Sequence, residues 1–228
     1  MVKTIVGSFD DSQAAHRAAQ ALIDDGFMQQ DIGVVASNIL GDYTPDGRPL
    51  FLSDTPEETG TETGAVAGGV LGGAAGLTAS LVGLAIPGLG PIVAVGPLIA
   101  MLTGAGAGAV AGGLIGALTH SGVPQEHASY YAESVRRGGA LVTLRADNSR
   151  AERAAEILRE HSAIDLDERV MRWRDSGWRG WDGSAKPFTP EEAERERRTY
   201  GTHSDPLTGL PVTSDPDGDN RRSSTIRR

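Results

Sequence analysis

The first forty residues alternate between extended and helical hydrophobic patterns. The β-branched run KTIVGSF (3–9) predicts a strand, the apolar residues of 14–22 recur at helical spacing, and DIGVVAS (31–37) predicts a second strand. Asp10 and Asp11 precede the predicted helix, where carboxylates commonly cap the first turn. We therefore expect a βαβ unit in which this acidic pair caps the helix and contacts no ligand.

The same succession returns in the second half of the chain. GALVTLRA (139–146) predicts a strand, residues 147–163 a helix, and the alternating IDLDERV (164–170) a final strand. Two βαβ units predict an α+β fold, a ferredoxin-like sandwich with two helices on one face of a four-stranded antiparallel sheet. The predicted domain consists of residues 1–39 and 139–170.

An insertion of three parts separates the two halves. Residues 40–63 are rich in Pro, Gly and Asp and predict a polar linker. Residues 64–119 form most of a long uncharged tract. Residues 120–138 contain Pro124 at a helix start and two tyrosines, which predicts an amphipathic helix that returns the chain to the sheet.

Residues 63–125 contain no Lys, Arg, Asp or Glu. The sequence IPGLGP (86–91) divides this tract, because its prolines and glycines force a turn. The predicted turn residues are Pro87, Gly88, Gly90 and Pro91. The flanking parts, 64–86 and 92–119, predict two helices that each exceed the roughly 20 residues needed to cross a hydrocarbon core.

Glycines in the two predicted helices are spaced as stripes. Each interior glycine costs a helix about 1 kcal/mol relative to alanine in water, so the stripes need a compensating environment. Residues four apart share one helix face, where glycine lets another helix approach closely. The predicted packing positions are Gly68, Gly72 and Gly76 in the first helix and Gly104, Gly108, Gly112 and Gly116 in the second.

Two environments suit such a Gly-zipper hairpin. In one, it inserts in the inner membrane, and Arg136 and Arg137 beyond it keep both flanks in the cytoplasm. In the other, it is buried between subunits of a soluble cytoplasmic homo-oligomer. The chain is its own partner in the second case, and the lipid bilayer is a further partner in the first. A third hypothesis, from fold analogy alone, is a small-molecule sensor on the open face of the sheet.

The segment 171–201 combines tryptophans with arginines. Its tryptophans are Trp173, Trp178 and Trp181. This composition is typical of a membrane interface, and also of tryptophans packed against the domain. TPEE (189–192) predicts a short charged helix, and residues 202–228 predict a disordered tail, because Pro, Gly, Ser, Thr and charge dominate them.

Composition excludes several classes of function. The formal charge is −9, and acidic residues outnumber basic ones two to one up to residue 170, which argues against a nucleic-acid surface. The absence of cysteine excludes disulfides, zinc thiolate sites and a cysteine nucleophile, and fits a reducing compartment. The N-terminus lacks the features of a signal peptide, so we expect it in the cytoplasm.

Motifs for catalysis and cofactor binding are poorly represented. Neither lysine lies in a phosphate-binding loop, and no GxSxG occurs. GAGAGA (104–109) satisfies GxGxxA but follows no predicted strand. His120 and His127 flank Glu126 at wide spacing without a third ligand, which favours solvent-facing or interfacial histidines over a metal site. We predict no enzyme activity, no cofactor and no metal.

Four segments in this order resemble bacterial general-stress and heat- or low-temperature-induced proteins of the general-stress-protein-17M-like type. They are KTIVGSFDDSQAAHRAAQALIDDGF, IPGLGP, YYAESVRRGGALVTLRAD and ERAAEILREHSAIDLDER. The resemblance covers residues 1–181. It implies a stress-associated protein with a ferredoxin-like domain, often membrane-associated, and no catalytic residues.

Overall fold

The computed structural model describes residues 2–44, 48–50, 82–86, 88–97, 102, 113–200, 203–204 and 211–212. Its strands are β1 (Val2–Phe9), β2 (Ile32–Ser37), β3 (Val82–Ile86), β4 (Gly90–Val95), β5 (Ala140–Asp147), β6 (His203–Ser204) and β7 (Pro211–Val212). Its α-helices are α1 (Ser12–Asp24), α2 (Gly113–His120), α3 (Gln125–Arg136), α4 (Ala151–Glu160), α5 (Leu166–Asp175) and α6 (Pro190–Tyr200).

Strands β1 to β5 form one antiparallel sheet in the order β1-β5-β2-β4-β3. β5 lies between β1 and β2, and its Leu144 is opposite Ile5 on one side and Ile32 on the other. The β3–β4 hairpin extends the sheet beyond β2, with Val35 opposite Ala94. The predicted α+β class is confirmed, and the sheet gains a hairpin that the sequence pattern did not indicate.

Helices cover both faces of this sheet. α1 and α4 pack on one face, in a core that includes Phe9, Leu22 and Leu158. α2 and α3 pack on the other, around Leu118 and Val135. The two-layer prediction of helices on one face only is therefore wrong, because the amphipathic helix expected in 120–138, seen as α3, builds a second helical layer. The open face that the sensor hypothesis requires is covered by these helices.

Helix α1 begins where the sequence predicts. The Asp11 carboxylate accepts a hydrogen bond from the Ala14 N–H at 2.7 Å, which confirms the predicted cap. Ala15, Ala18 and Ala19 are fully buried against the sheet. Their small side chains bring the helix close to the strands, so this face buries apolar surface without bulky residues.

The final predicted strand, 164–170, is wrong over most of its length, because α5 starts at Leu166. Its N-cap is Asp165, whose carboxylate accepts a backbone N–H of the first turn at 3.0 Å. Leu166, Val170 and Trp173 are buried and follow helical spacing. The alternating pattern in IDLDERV covers fewer residues than the helical pattern, which extends to Trp173 beyond the predicted strand. The longer pattern decides the conformation.

The predicted helices 64–86 and 92–119 are wrong over the strand residues that the structure describes. Val82–Ile86 and Gly90–Val95 are β3 and β4, and the second prediction holds at its end, where α2 lies. β-branched and aliphatic residues on both sides of a Gly/Pro turn suit a hairpin that pairs with β2. The prediction of a transmembrane helical hairpin with its tip at this turn is therefore wrong, because the turn joins two strands of the sheet.

The remaining predictions concern the linker and the C-terminal part. In the linker, Tyr43 and Pro49 form an antiparallel bridge, and residues 51–63 lie outside the described residues. The predicted charged helix is confirmed as α6. In the predicted disordered tail, the short strands β6 and β7 pair with each other, and the other tail residues lie outside the described part.

Candidate functional site

Strand β3 is one edge of the sheet, and no described strand lies beyond it. Gly83 and Ala85 are exposed, whereas Leu84 and Ile86 are half-buried and pack towards the α2–α3 layer. The strand VGLAI carries no charge. Sheet edges usually carry charges, prolines or bulges that prevent pairing with another chain. The uncharged β3 edge is therefore a candidate surface for association.

The turn between β3 and β4 is held by glycine and by the C-terminal segment. Gly88 and Gly90 have φ values of 81° and 88°, which L-residues with side chains rarely adopt. A Cβ on Gly88 would lie 2.9 Å from the Gly183 carbonyl oxygen, and one on Gly90 would lie 3.0 Å from Cβ of Pro187. These glycines form the predicted turn, although it joins strands instead of helices, and Pro87 lies outside the described residues.

Two uncharged stretches adjoin this hairpin at the same end of the sheet. We call residues 64–81, before β3, the first run and residues 98–112, after β4, the second run. Because β3 and β4 are antiparallel, the start of β3 at Val82 lies beside the end of β4. Gly96 follows with a φ of 84°, and a Cβ there would lie 2.2 Å from the Ile32 carbonyl oxygen. The described residues that border the two runs, Val82 after the first and Val95 before the second, thus lie at the same end of the sheet.

Most of the predicted packing glycines fall in these runs. Gly68, Gly72, Gly76, Gly104, Gly108 and Gly112 lie outside the described residues. Gly116 is exposed on α2, and no described atom lies within 4 Å of the position that its Cβ would take. On the opposite side of α2, Leu114 and Leu118 are buried in the core. α2, which follows the second run in the chain, therefore packs on the domain and leaves Gly116 facing away from its core.

The residues predicted for a membrane interface lie mainly in the contact between α3, α5 and α6. Trp173 is 1 % exposed and Arg136 is 8 % exposed. Arg137 lies beside them and is half-buried, and Trp178 packs on Trp173 with ring centroids 5.8 Å apart. Trp181 is half-buried against the α2–α3 layer. The alternative prediction, tryptophans packed against the domain, describes these positions. Within the described residues, no helix has the length and apolar character of a membrane span.

A fully buried carboxylate organises this contact. Glu133 of α3 accepts hydrogen bonds from Arg136 at 2.6 and 2.9 Å and from Arg137 at 2.7 Å. Arg137 also contacts Glu196 of α6 at 3.1 Å, and Glu196 accepts the Trp173 indole N–H at 2.5 Å. We call these five residues the Glu133 network. It joins the C-terminal helix to α3 and α5 through balanced charges, which buried ions require.

Two further arginines connect the C-terminal helices to the N-terminus of α1. Arg169 contacts Asp10 at 2.6 Å, and Arg197 contacts Asp42 at 3.3 Å. Asp42 also accepts the Ser12 hydroxyl at 2.6 Å. Asp10, which the sequence analysis treats as a helix cap, is thus an ion-pair partner of α5. Sequence reasoning missed these pairs because each joins residues more than a hundred positions apart.

A buried polar pair beneath α1 was also missing from the sequence analysis. His16 and Tyr43 are buried with ring centroids 5.9 Å apart, and Nδ1 of His16 lies 3.1 Å from the Ser12 carbonyl oxygen. Burial lowers the pKa of His16 and raises the pKa of Tyr43, because each charged form would lose its hydration. A lone histidine on an alanine-rich helix face gives no sequence signal of this pairing.

A groove of about 220 Å³ runs along the opposite edge of the sheet, between β1, α4 and the segment before α5. Two outward-facing carbonyls of β1 are already occupied there. The Ile164 N–H donates to Ser8 O at 2.8 Å, and the Tyr131 hydroxyl donates to Val6 O at 3.2 Å. Burial raises the pKa of Tyr131 to about 12, so this hydroxyl stays protonated. The β1 edge is thus partly capped.

The histidines examined as metal ligands are not brought together with a third ligand. His127 pairs with Asp167 at 3.7 Å, both of them substantially exposed. Among the described residues, no group of three His, Cys, Asp or Glu side chains has a metal-binding arrangement. The geometry around His120, Glu126 and His127 therefore gives the metal hypothesis no support.

Comparison with known proteins gives no assignment. No protein-family model matches the chain, and neither a curated protein nor a solved structure matches it. The resemblance of residues 1–181 to general-stress proteins therefore stays a prediction.

Proposed function

We propose that this protein is a non-enzymatic, stress-associated protein that assembles with copies of itself through the two runs beside the β3–β4 hairpin. The observation that carries the proposal is that Val82 and Val95, the strand residues that border the two runs, lie at the same end of the sheet. The association with stress rests on the sequence resemblance alone. The chemistry of contact rests on the uncharged, glycine-striped composition of the runs.

The attachment of the runs favours a protein partner over a spanned bilayer. The chain between Leu50 and β3 starts and ends in the same domain, and so does the chain between β4 and α2. A single crossing would place its two ends on opposite sides of the membrane. Two crossings need about 40 apolar residues, more than either interval contains. A second copy that covers the glycine stripes is compatible with the short length of both intervals and with the uncharged, glycine-rich composition of the runs.

Self-association also compensates for the glycine content. As helices in water, the runs would lose about 1 kcal/mol of stability per interior glycine relative to alanine. If another helix packs along the glycines four residues apart, the close contact between the two backbones offsets this loss of stability. Gly116, exposed on α2, continues the predicted stripe on the outside of the domain and is available to such a contact.

Sedimentation velocity of the purified full chain tests this proposal. We expect the wild type to sediment as an oligomer and the variant Gly72→Leu with Gly112→Leu to sediment as a smaller species, because leucine separates the packed faces. The matched control is Ala74→Leu with Gly106→Leu, which adds nearly the same bulk on the helix face opposite the two stripes. An unchanged oligomer in the glycine variant, or an equal loss in the control, would contradict the proposal.

Membrane fractionation tests the lipid alternative. We expect the chain to be recovered from carbonate-washed cells in the soluble fraction without detergent. Retention in the washed membranes would instead make lipid the partner of the runs and overturn the soluble assembly.

We further propose that the domain is related to the ferredoxin-like architecture. The split β1-α1-β2 arrangement around β5 supports this relation, and so does the hydrogen bond from Ile164 to Ser8 where a fourth strand would pair. Hydrogen exchange tests it. A protected Ile164 amide is expected, and rapid exchange there would count against the relation.

A further inference from the structure

We infer that the edge of β3, beyond which no described strand lies, pairs with β3 of a second copy, antiparallel, about a two-fold axis at Leu84. The two sheets then form one continuous ten-stranded sheet. The inference deepens the proposed function, on which it rests for the identity of the partner. The contact surface that it assigns, the β3 edge, is distinct from the runs and has a defined register of pairing.

The direction of the backbone groups follows from the neighbouring strand. Pro91 has no N–H, and its carbonyl accepts the Asn38 N–H at 2.8 Å, so Pro91 faces β2. Backbone groups alternate in direction along a strand, so Ile92 faces β3 and hydrogen-bonds with Leu84 opposite. Gly83 and Ala85, on either side of Leu84, therefore direct their N–H and C=O groups outwards.

These two residues select one register. An antiparallel pair about Leu84 places Gly83 opposite Ala85 of the second copy, and Ala85 opposite Gly83. Each of these pairs exchanges two hydrogen bonds, so all four outward groups of each copy are satisfied. A pair centred on Ala85 places Gly83 opposite Pro87, which has no N–H. A pair centred on Gly83 leaves Ala85 opposite a residue before β3.

The side chains suit the same register. On the α2–α3 side, Leu84 meets its own copy at the axis, so two half-buried apolar side chains cover each other. On the other side, exposed Gly83 and Ala85 meet and leave no bulk between the chains. The strand has no charge that repels its copy. A second copy of this strand is therefore a complementary partner.

The opposite edge of the sheet is less suited to pairing. On β1, the outward carbonyls of Val6 and Ser8 already accept from Tyr131 and Ile164. Lys3 adds an exposed charge at its start. Of the two edges of the five-stranded sheet, β3 is therefore the one suited to pairing, and a two-fold axis closes such a pair at a dimer.

Single cysteines test the register directly, because the chain has none. At the axis, Leu84 and its copy form a non-hydrogen-bonded pair with Cα atoms about 4.5 Å apart, within the range for a disulfide. Leu84→Cys is expected to give a disulfide-linked dimer of the full chain under mild oxidation. Ile86→Cys is the matched control, since Ile86 and its copy lie roughly 14 Å apart along the strands. Equal crosslinking of both variants, or no crosslinking of Leu84→Cys, would overturn the inference.

A proline variant tests the hydrogen bonds. The Ala85 N–H faces away from β4, so Ala85→Pro removes an intermolecular donor and keeps the internal ladder. In the Gly72→Leu, Gly112→Leu background, where the runs no longer join one dimer to the next, we expect Ala85→Pro to lower the dimer affinity at least about tenfold by sedimentation, and Ala85→Ser to leave it unchanged. Matching circular dichroism spectra and melting temperatures verify that both variants are folded. An unchanged dimer in Ala85→Pro would refute β3 pairing.

The two contacts fail separately. Loss of oligomer in Gly72→Leu with Gly112→Leu, together with retained Leu84→Cys crosslinking, supports both surfaces. Loss in the glycine variant without any effect of the β3 variants leaves the proposed function and removes this inference. Crosslinking at Leu84 with no effect of the glycine variant removes the runs as the contact and keeps the β3 dimer.

Discussion

Replacing Glu133 by glutamine is expected to cost about 3 kcal/mol of unfolding free energy. The carboxylate is fully buried and accepts three hydrogen bonds from Arg136 and Arg137. Glutamine has nearly the same shape but no charge, so the two guanidinium groups remain buried with reduced compensation. The packing of α3 is unchanged, which isolates the electrostatic effect.

The magnitude follows from the partners that remain. Removing one partner of a buried ion pair costs roughly 3–5 kcal/mol. Arg137 keeps Glu196, and Arg136 keeps the Lys186 carbonyl at 3.4 Å and its contacts with the rings of Trp181 and Phe188, which places the estimate at the lower end. For a chain of this size, about 3 kcal/mol corresponds to a fall of roughly 6–12 °C in melting temperature.

Urea denaturation followed by tryptophan fluorescence measures this change, and Trp173 reports from within the Glu133 network. Glu152→Gln, on an exposed part of α4, is the matched control and should change stability by less than about 1 kcal/mol. Arg136→Met added to Glu133→Gln should cost less than the two single variants together, by about 1 kcal/mol or more. A loss below 1 kcal/mol in Glu133→Gln, or strict additivity, would refute the role assigned to the network.

Three smaller changes test other parts of the fold. Burial lowers the pKa of His16 below its ordinary 6.5, so the unfolded chain takes up the proton first. The contribution of His16 to the free energy of unfolding is therefore fully present above about pH 6.5 and falls as the pH drops towards the lowered pKa, by up to ~1.4 kcal/mol per pH unit. Urea melts at several pH values should show that His16→Gln loses this part of the pH dependence. Gly96→Ala should cost more than about 2 kcal/mol in the same assay, because of both its positive φ and the Ile32 carbonyl, whereas Gly26→Ala, with a similar φ and open space, should cost about 1 kcal/mol. Asp11→Ala should cost about 1 kcal/mol by removing the α1 cap, and an unchanged melting temperature would contradict that role.

Elements with local signals could be predicted from the sequence. β1, α1 and β2 follow from two β-branched runs, an alanine face and the cap Asp11, which act over a few residues. α3 and α6 follow from helical spacing with proline at or just before the first turn. In these segments the local preference and the tertiary packing agree, so a local pattern is sufficient.

Elements whose conformation is decided by distant partners could not be predicted. VGLAI and PIVAV are short apolar runs, which periodicity does not distinguish as helix or strand, and pairing with β2 decides them. The context of a glycine-rich, uncharged tract favoured helices there, and the correct signal was the β-branched content beside PGLG. In 164–170, the helical spacing of Leu166, Val170 and Trp173 decides for helix, and this spacing is complete only when Trp173, beyond the predicted strand, is included.

The candidate site was predictable only in part. The glycine stripes and the turn are visible in the sequence because they depend on spacing and on residue type. The β3 edge is visible only once the strand order places VGLAI at the border of the sheet. The Glu133 network joins α3 to Glu196, and its glutamates and arginines have the same local pattern as solvated charges.

The positions of the β3 edge and the runs determine what kind of assembly they form together. Pairing about Leu84 uses the same surface on both copies, so it closes at two chains. The strands of the two copies are antiparallel across the axis, which places the runs of one copy and those of the other at opposite ends of the joined sheet. Contacts through the runs then join one dimer to the next, and the product is extended. Pairing at β3 alone stops at two chains, so the glycine variant should convert the extended assembly into dimers. Ala85→Pro should leave only the contacts through the runs, and its assembly should therefore be smaller than that of the wild type.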